Sequence, residues 1–159
     1  MILVLLGTQN NSFHRLLYEL EKCLKDGIIK DSVVVQCGYT KFISKYMELV
    51  DFIPIEEFDR YIESADLVIT HGGVGSIINS IKSGKKVIAV PRLSKFNEHV
   101  NDHQVQIIKM FDKKGFIKGV FNMVDLSKAI MNIERFIPVK YVGNNKTMLT
   151  IISDYIDNN

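Results

Sequence analysis

The chain has 159 residues, a formal net charge of +2 and 47% hydrophobic residues. This length suits a single domain over residues 1–159, and the hydrophobic content is sufficient for one continuous core. The composition excludes a disordered chain, and the small net charge gives no support for nucleic acid as a partner.

Short apolar runs without polar alternation recur along the chain, which is typical of strands covered on both faces of a sheet. The predicted strands, in chain order, are Ile2–Leu6, Ser32–Gln36, a weaker one near Glu48–Phe52, Leu67–Thr70, Val87–Val90 and Phe116–Val120.

Helical periodicity separates these runs. The predicted helices run from Phe13 to Leu24, over Pro54–Ser64, after the glycine-rich segment that follows Thr70, after Asn101, from Leu126 to Ile133, and over residues 148–156. This alternation predicts βαβ units and an α/β fold with one Rossmann-like, doubly wound parallel sheet. In such sheets ligands bind beyond the carboxyl ends of the strands. The loops of interest therefore follow Leu6, Thr70 and Val90.

The expected location of the protein is the cytoplasm. Met1–Leu6 is too short for a signal-peptide core and is better interpreted as a buried strand. No segment is long enough to span a bilayer. Cys23 and Cys37 form no metal-binding pattern, so we expect two buried thiols in a reducing compartment.

The segment Thr70–Ile77 follows a strand and opens a helix, and it contains three glycines. Glycines allow a ligand to approach the backbone, and free N–H groups at a helix start favour anions such as a diphosphate. Ser76 adds a hydroxyl donor. Sharp turns also use glycine, and neither common nucleotide motif is met. Ile78 replaces the third dinucleotide-motif glycine, and Lys86 follows Gly84-Lys85 where a phosphate loop has Ser or Thr.

The segment Val90–Gln104 is rich in Asn, His and Gln side chains, which match the hydroxyl groups of a sugar ring. The alternative is a loop with helix-capping residues, because Asn101 or Asp102 can cap the next helix. His99 and His103 have a spacing that can bind zinc, but Val100 stands where a metalloprotease has Glu, so we predict no metal site.

The loop Gly7–Arg15 places Thr8 beside the same predicted cleft. Ser12 is a candidate N-cap for the following helix. His14 is either a catalytic base or a surface histidine on the polar face of that helix. The chain has no Asp-x-Asp pair to hold a divalent metal on a diphosphate.

These segments together resemble the C-terminal domain of family 28 glycosyltransferases. The resemblance rests on Gly-Thr after the first strand, His-Gly-Gly-x-Gly-Ser after Thr70, then Val-Pro-Arg and Asn-Asp-His-Gln. It covers nearly the whole chain. Within that family the chain is similar to small bacterial capsule and exopolysaccharide subunits of the galactosyltransferase type. It is also similar to the catalytic subunit of the eukaryotic two-piece UDP-N-acetylglucosamine transferase.

The resemblance implies the donor-binding half of a GT-B fold, which binds a UDP-sugar and needs neither a metal nor another cofactor. It places the glycine segment at the diphosphate and ribose, and Asn101, His103 and Gln104 at the donor sugar. The predicted substrate-binding residues are Thr8, His71, Gly72, Gly73, Gly75, Ser76, Asn79, Arg92, Asn101, His103 and Gln104. At Asn79 the related peptidoglycan transferase has an acidic residue that holds the ribose, and Asn lacks that charge-assisted contact.

The implied function is inverting transfer of galactose or N-acetylglucosamine from UDP to a lipid-diphosphate-linked sugar in capsule or exopolysaccharide synthesis. A membrane-associated subunit would bind the acceptor and recruit the chain to the cytoplasmic face of the membrane. The catalytic base is not assigned; the candidates are His14, His99 or a residue of the partner. The alternative function is a non-catalytic subunit that binds UDP-sugar or stabilises the complex.

Overall fold

The computed structural model describes residues 1–142 and Ser153. The strands are β1 Ile2–Leu5, β2 Val33–Gln36, β3 Glu48–Val50, β4 Leu67–Thr70, β5 Lys86–Ala89 and β6 Lys118–Gly119. The helices are α1 His14–Lys25, α2 Ile55–Ser64, α3 Val74–Lys82, α4 His103–Lys113 and α5 Leu126–Asn132, with 3₁₀ turns at Ser94–Phe96, Met123–Asp125 and Ile133–Arg135. The helix predicted over residues 148–156 lies outside the described residues, except for Ser153.

The six strands form one sheet in the order β3-β2-β1-β4-β5-β6, and every neighbouring pair is parallel. This is the Rossmann strand order, in which the direction of winding reverses between β1 and β4. Leu5 at the end of β1 is level with Gln36 of β2 and with Thr70 of β4. The prediction of an α/β, doubly wound parallel sheet is confirmed, and so is the weaker strand near Glu48.

Side chains of each strand alternate between two cores, because successive residues of a strand face opposite sides of the sheet. Ile2 and Val4 of β1 pack in the core beneath α1 and α5. Leu3 and Leu5 pack in the core beneath α2, α3 and α4. All four are nearly inaccessible to solvent, which explains why β1 lacks polar alternation.

No helix in the described part of the chain is long and apolar enough to span a bilayer.

Some predicted boundaries and caps are wrong. The sixth strand is limited to Lys118–Gly119, shorter than Phe116–Val120. Ser12 does not cap α1, because the N-cap residue is Phe13 and no side chain caps the helix. The N–H of Phe13 donates to Oγ1 of Thr40 at 3.0 Å. The predicted buried thiols are confirmed, since Cys23 and Cys37 are both buried and unpaired.

Candidate functional site

A cleft of about 680 Å³ lies at the carboxyl ends of β1, β2 and β4, where the winding of the sheet reverses. Its walls come from the loop after β1, the glycine segment after β4 and the polar segment before α4. It brings together every residue predicted to bind substrate except Arg92, and it also contains His99. The predicted residues that line it are Thr8, His71, Gly72, Gly73, Gly75, Ser76, Asn79, His99, Asn101, His103 and Gln104.

The imidazole of His71 is held between the backbones of Gly7 and Gly73. A methyl group added at either glycine would lie 2.6 Å from Nε2 of His71. The Leu5 carbonyl accepts a hydrogen bond from Nδ1 of His71 at 3.1 Å, so Nδ1 carries the proton of the neutral ring. The pKa of His71 is lowered to about 4, mainly because the ring is buried. The hydrogen bond to the Leu5 carbonyl opposes this shift, and the charges of Arg92 and His99 contribute to it.

The two following glycines serve different purposes. Gly72 has a φ of +90°, and a side chain there would lie 2.5 Å from Cδ1 of Ile108. Gly72 is therefore required by the packing of the loop against α4. Gly75 has no such constraint, since a methyl group there would meet nothing within 4 Å. The absence of a side chain at Gly75 leaves the backbone of α3 open to the cleft.

Helix α3 begins at Val74 and points its first turn into this cleft. Gly73 is the N-cap residue, and no side chain caps the helix. The first N–H groups of a helix have no partner within the helix and carry the positive end of the helix dipole. Ser76 adds a hydroxyl group in the same turn, and Asn79 lies one turn further along the cleft wall. This arrangement suits an anionic group such as a phosphate.

The opposite wall is made of side chains from the start of α4. The Oε1 atom of Gln104 accepts the backbone N–H of Arg92 at 3.0 Å. Because only the oxygen of a carboxamide can accept an N–H, the NH₂ group of Gln104 remains as the donor toward the cleft. Oδ1 of Asn101 accepts the N–H of His103, the first residue of α4, at 3.1 Å, so Asn101 satisfies this N–H as well as lining the cleft. Asp102 is the N-cap residue of α4, but its side chain does not cap the helix; its Oδ1 accepts the N–H of Ser94.

The two histidines predicted as catalytic bases differ in position. Nδ1 of His99 accepts the N–H of Asn101 at 3.2 Å, so the proton of a neutral His99 ring is on Nε2. His14 does not line the cleft. Its Nε2 donates to the Lys41 carbonyl at 2.9 Å, and its ring packs near Tyr18. His71 was not predicted as a base. Because the proton of its neutral ring is on Nδ1, the lone pair on its Nε2 is left unused.

Arg92 is not on the cleft wall, contrary to its predicted role in substrate binding. Arg92 is only 1% exposed, and its guanidinium donates to the backbone carbonyls of Leu6, Asn11 and Glu98. The side chain turns inward beneath the end of β1, where a bound ligand cannot reach it.

An apolar part of the cleft was not predicted from the sequence. Ile53, Ile55 and Phe58 line it, from the segment that joins β3 to α2 and from the first turn of α2. The Oε1 atom of Gln36 accepts the N–H of Ile53 at 3.0 Å and fixes this segment beside the end of β2. The strand order brings this segment to the cleft, and nothing in the local sequence indicates it.

Within residues 1–142 and Ser153, no group of three or more His, Cys, Asp or Glu side chains is arranged to hold a metal ion. His99 and His103 both line the cleft, but α4 begins only at His103. The two rings therefore do not share a helix face, which the zinc spacing would require.

Comparison with known families decides the relationship that the motifs suggested. Residues 1–154 match the glycosyltransferase family 28 C-terminal domain. The chain belongs to this family. The match covers the whole sheet and every residue of the cleft described above.

Curated relatives of this family 28 chain include the UDP-N-acetylglucosamine transferase subunit ALG13 of two yeasts. The protein of Candida albicans is 29% identical over 79 residues, which are 50% of this chain and 26% of the relative. The protein of Candida glabrata is 28% identical over 124 residues, which are 76% of this chain and 53% of the relative. The chain thus spans about half or less of the length of these relatives.

Solved structures support the fold assignment. The crystal structure of the glycotransferase of kitacinnamycin superimposes with a TM-score of 0.58 and 14% sequence identity. The alignment covers 98% of this chain and 38% of that one. The family 28 chain therefore has the architecture of one part of a GT-B glycosyltransferase.

A second concavity of about 660 Å³ lies apart from the family 28 motifs, between β6 and α5. Phe121, Ala129 and Phe136 contribute apolar surface to it, and Lys128 and Arg135 lie on its border. None of the predicted site residues lines this concavity. The motif residues that line a concavity do so in the polar cleft at the carboxyl ends of β1, β2 and β4, and not between β6 and α5.

Proposed function

We propose that this chain is the donor-binding subunit of an inverting glycosyltransferase that uses a UDP-sugar. The observation that carries the proposal is that one cleft has two walls of different chemistry. The uncapped first turn of α3 offers backbone N–H groups to a diphosphate. The facing wall offers Asn101, His103 and the NH₂ group of Gln104 to a sugar.

The proposed orientation of the donor follows from the chemistry of the walls. The diphosphate lies at Val74–Ser76, and the uracil base lies against Ile53, Ile55 and Phe58, which are the apolar part of the cleft. Asn79 is then placed to meet the ribose hydroxyls. The hexose lies on the opposite side of the diphosphate, beside the start of α4.

In the proposed reaction an acceptor hydroxyl oxygen attacks the anomeric carbon of the hexose. The bond from that carbon to the UDP oxygen breaks at the same time, and the hydroxyl proton passes to a base. The N–H groups of α3 stabilise the negative charge that develops on the departing UDP. The transferred hexose is galactose or N-acetylglucosamine, and the acceptor is a lipid-diphosphate-linked sugar of capsule or exopolysaccharide synthesis.

The base is proposed to come from the partner subunit. The neutral His99 ring has its proton on Nε2 and its Nδ1 occupied by Asn101. The pKa of His71, lowered to about 4 by burial, makes its imidazole a weak base at neutral pH. His14 lies outside the cleft. The likeness to a transferase that is named as a subunit supports the existence of a partner. We propose that this partner is a membrane-associated subunit that binds the acceptor. It would recruit this chain from the cytoplasm to the membrane surface.

The second candidate function is a non-catalytic subunit that binds a UDP-sugar or stabilises the complex. Two observations favour it, namely that neither His71 nor His99 is a well-placed base and that Asn79 stands at the acidic position of the related peptidoglycan transferase. In this case the cleft binds the nucleotide, but the chemistry does not depend on its side chains.

The test uses membranes from a strain that lacks the gene for this chain. Purified full-length chain and labelled UDP-galactose or UDP-N-acetylglucosamine are added, and label in the lipid fraction is measured. We expect transfer from one of the two donors only when the chain is present. No lipid-linked product with either donor would contradict the transferase proposal.

Gln104→Ala separates the two candidates. The transferase proposal predicts a loss of turnover with the complex intact, because the donor sugar loses its carboxamide contact. The non-catalytic alternative predicts unchanged transfer. Lys86→Met is the matched control, because Lys86 binds the carbonyls of Ile133 and Glu134 at the opposite end of β5 from the cleft.

A further inference from the structure

Arg92 is a fully buried cation directly behind the cleft. It is the bulkiest side chain among those with less than 2% exposure. Its guanidinium donates to the carbonyls of Leu6, of Asn11 at 2.7 Å and of Glu98 at 3.4 Å. Leu6 and Asn11 bound the loop after β1, and Glu98 belongs to the loop before α4. One side chain therefore joins two loops that both contribute residues to the cleft.

The charge of Arg92 is not neutralised by an ion pair. The carboxylate of Glu98 is engaged by Arg15 through two hydrogen bonds, at 2.9 Å from Nε and 2.8 Å from Nη2. Glu98 also accepts the N–H of Leu93 at 3.0 Å. Among the described residues, Arg92 itself forms no salt bridge. The cluster has two guanidinium groups and one carboxylate, so one positive charge remains buried in it.

The same residue orients a cleft side chain through its backbone. The N–H of Arg92 donates to Oε1 of Gln104, which directs the NH₂ group of Gln104 toward the ligand. The Arg92 charge also reaches the cleft, since it disfavours the protonated form of His71, and the pKa of His71 is lowered in part for that reason. Desolvation by burial lowers the pKa of Arg92 as well, and the nearby carboxylate of Glu98 opposes this shift. An arginine nevertheless remains charged at neutral pH.

We propose that Arg92 is a positioning residue for the donor diphosphate, which joins the two loops and supplies a buried positive charge behind the phosphates without touching them. The inference rests on the proposed function, because it assumes that the cleft binds a nucleotide diphosphate. Buried charge is effective here since the surrounding protein screens it less than water does.

Two variants separate the charge from the hydrogen bonds. Arg92→Lys keeps the charge but cannot span three carbonyls, and Arg92→Gln keeps two N–H donors without the charge. Lys86→Met is the control for the loss of a partly buried cation that binds backbone carbonyls far from the cleft. For each full-length variant, the Kd for UDP is measured by calorimetry at low and high salt, and the melting temperature is recorded. The pKa of His71 is followed by NMR.

We expect Arg92→Gln to weaken UDP binding by about tenfold at low salt and to raise the pKa of His71. Arg92→Lys should weaken binding less and leave the pKa of His71 low. Lys86→Met should lower the melting temperature and leave UDP binding unchanged. Equal UDP affinities of Arg92→Gln and Arg92→Lys, or a loss in Lys86→Met as large as in Arg92→Gln, would overturn the inference.

The proposed function and this inference fail in different ways. If the wild-type chain binds no UDP, the proposed function fails, and the His71 titration alone then decides whether the Arg92 charge reaches the cleft. If both variants fail to fold, the salt dependence of wild-type UDP binding decides instead, because a buried charge is screened less than an exposed one. A UDP affinity that changes little between low and high salt would support the arrangement, and an affinity lost at high salt would contradict it.

Discussion

The two walls of the cleft are built on opposite principles. The glycine wall, His71 to Ser76, presents backbone. Its glycines pack against Ile108 of α4, accommodate the His71 ring or leave α3 open. The polar wall, Arg92 to Gln104, presents side chains, and these divide into two groups. Asn101, His103 and Gln104 line the cleft, whereas Arg92 and Glu98 are buried and hold the loop in place.

This difference accounts for which of the predicted residues line the cleft. A glycine marks a position where the backbone can turn sharply or be approached closely. A glycine-rich turn after a strand therefore indicates its place in the cleft from the sequence. A polar residue in a loop has no such visible direction. Its side chain can face a ligand or can satisfy the backbone of a neighbouring loop, and the two roles use the same residue types. If one wall acts through its backbone and the other through its side chains, substitutions in the two walls should have different effects.

The largest expected effect is on stability, in Gly72→Ala. The positive φ and the contact with Ile108 together should lower the free energy of unfolding by about 3 kcal/mol. Gly84→Ala is the matched control, because Gly84 also has a positive φ, +70°, but open space around it. It should cost about 1 kcal/mol from backbone strain alone. Urea denaturation measures both, and equal losses would show that the packing against α4 is not required.

The second prediction concerns pH. The pKa of His71 is about 4 in the folded protein and near 6.5 when unfolded. Between these values the unfolded chain takes up a proton that the folded protein does not, so stability is full above pH 6.5 and falls as the pH is lowered. The expected loss at pH 5 is about 2 kcal/mol. It should be absent in His71→Gln. Parallel stability curves of the two proteins from pH 7 to pH 5 would rule out a buried neutral imidazole.

The third prediction concerns Gly75, where a substitution should affect UDP binding more than stability. Gly75→Ala should change the free energy of unfolding by no more than about 1 kcal/mol, since the added methyl group meets nothing. The same methyl group should weaken UDP binding by about tenfold, because it stands where the phosphates approach the helix. Calorimetry on the folded variant measures this effect. Unchanged affinity would place the diphosphate elsewhere.

The smallest expected effect is a gain. Asn79→Asp restores a carboxylate at the proposed ribose position and should tighten UDP binding about threefold through a charge-assisted hydrogen bond. Asn79→Ala, which removes the amide, is the comparison and should weaken binding. If Asn79→Asp binds UDP no more tightly than Asn79→Ala, then Asn79 does not contact the ribose.

Sequence patterns predicted the sheet because its strands are buried on both faces, and a short, unbroken apolar run such as Leu67–Thr70 is typical of a strand in that position. They missed the length of the edge strand, since Phe116 and Ile117 are buried without being part of the ladder. They also missed the hydrogen bond from the N–H of Phe13 to Thr40, a contact between residues 27 apart in the chain.

Local motifs predicted which residues line the cleft at Gly72, Gly73 and Asn101. The burial of Arg92 was missed because the loop that receives its guanidinium lies 81 residues away in the chain. The apolar wall at Ile53 was missed for a related reason. It reaches the cleft only through the order of strands in the sheet, which is a property of the whole fold.

The central claim is that the cleft, and not the concavity between β6 and α5, binds a UDP-sugar. The most direct test is to titrate UDP into the full-length, isotope-labelled chain and to follow backbone amide shifts by NMR. The account predicts that the largest shifts lie at Val74, Gly75 and Ser76, with smaller ones near Gln104. Shifts confined to Phe121, Ala129 and their neighbours, or no shifts at saturating UDP, would contradict it.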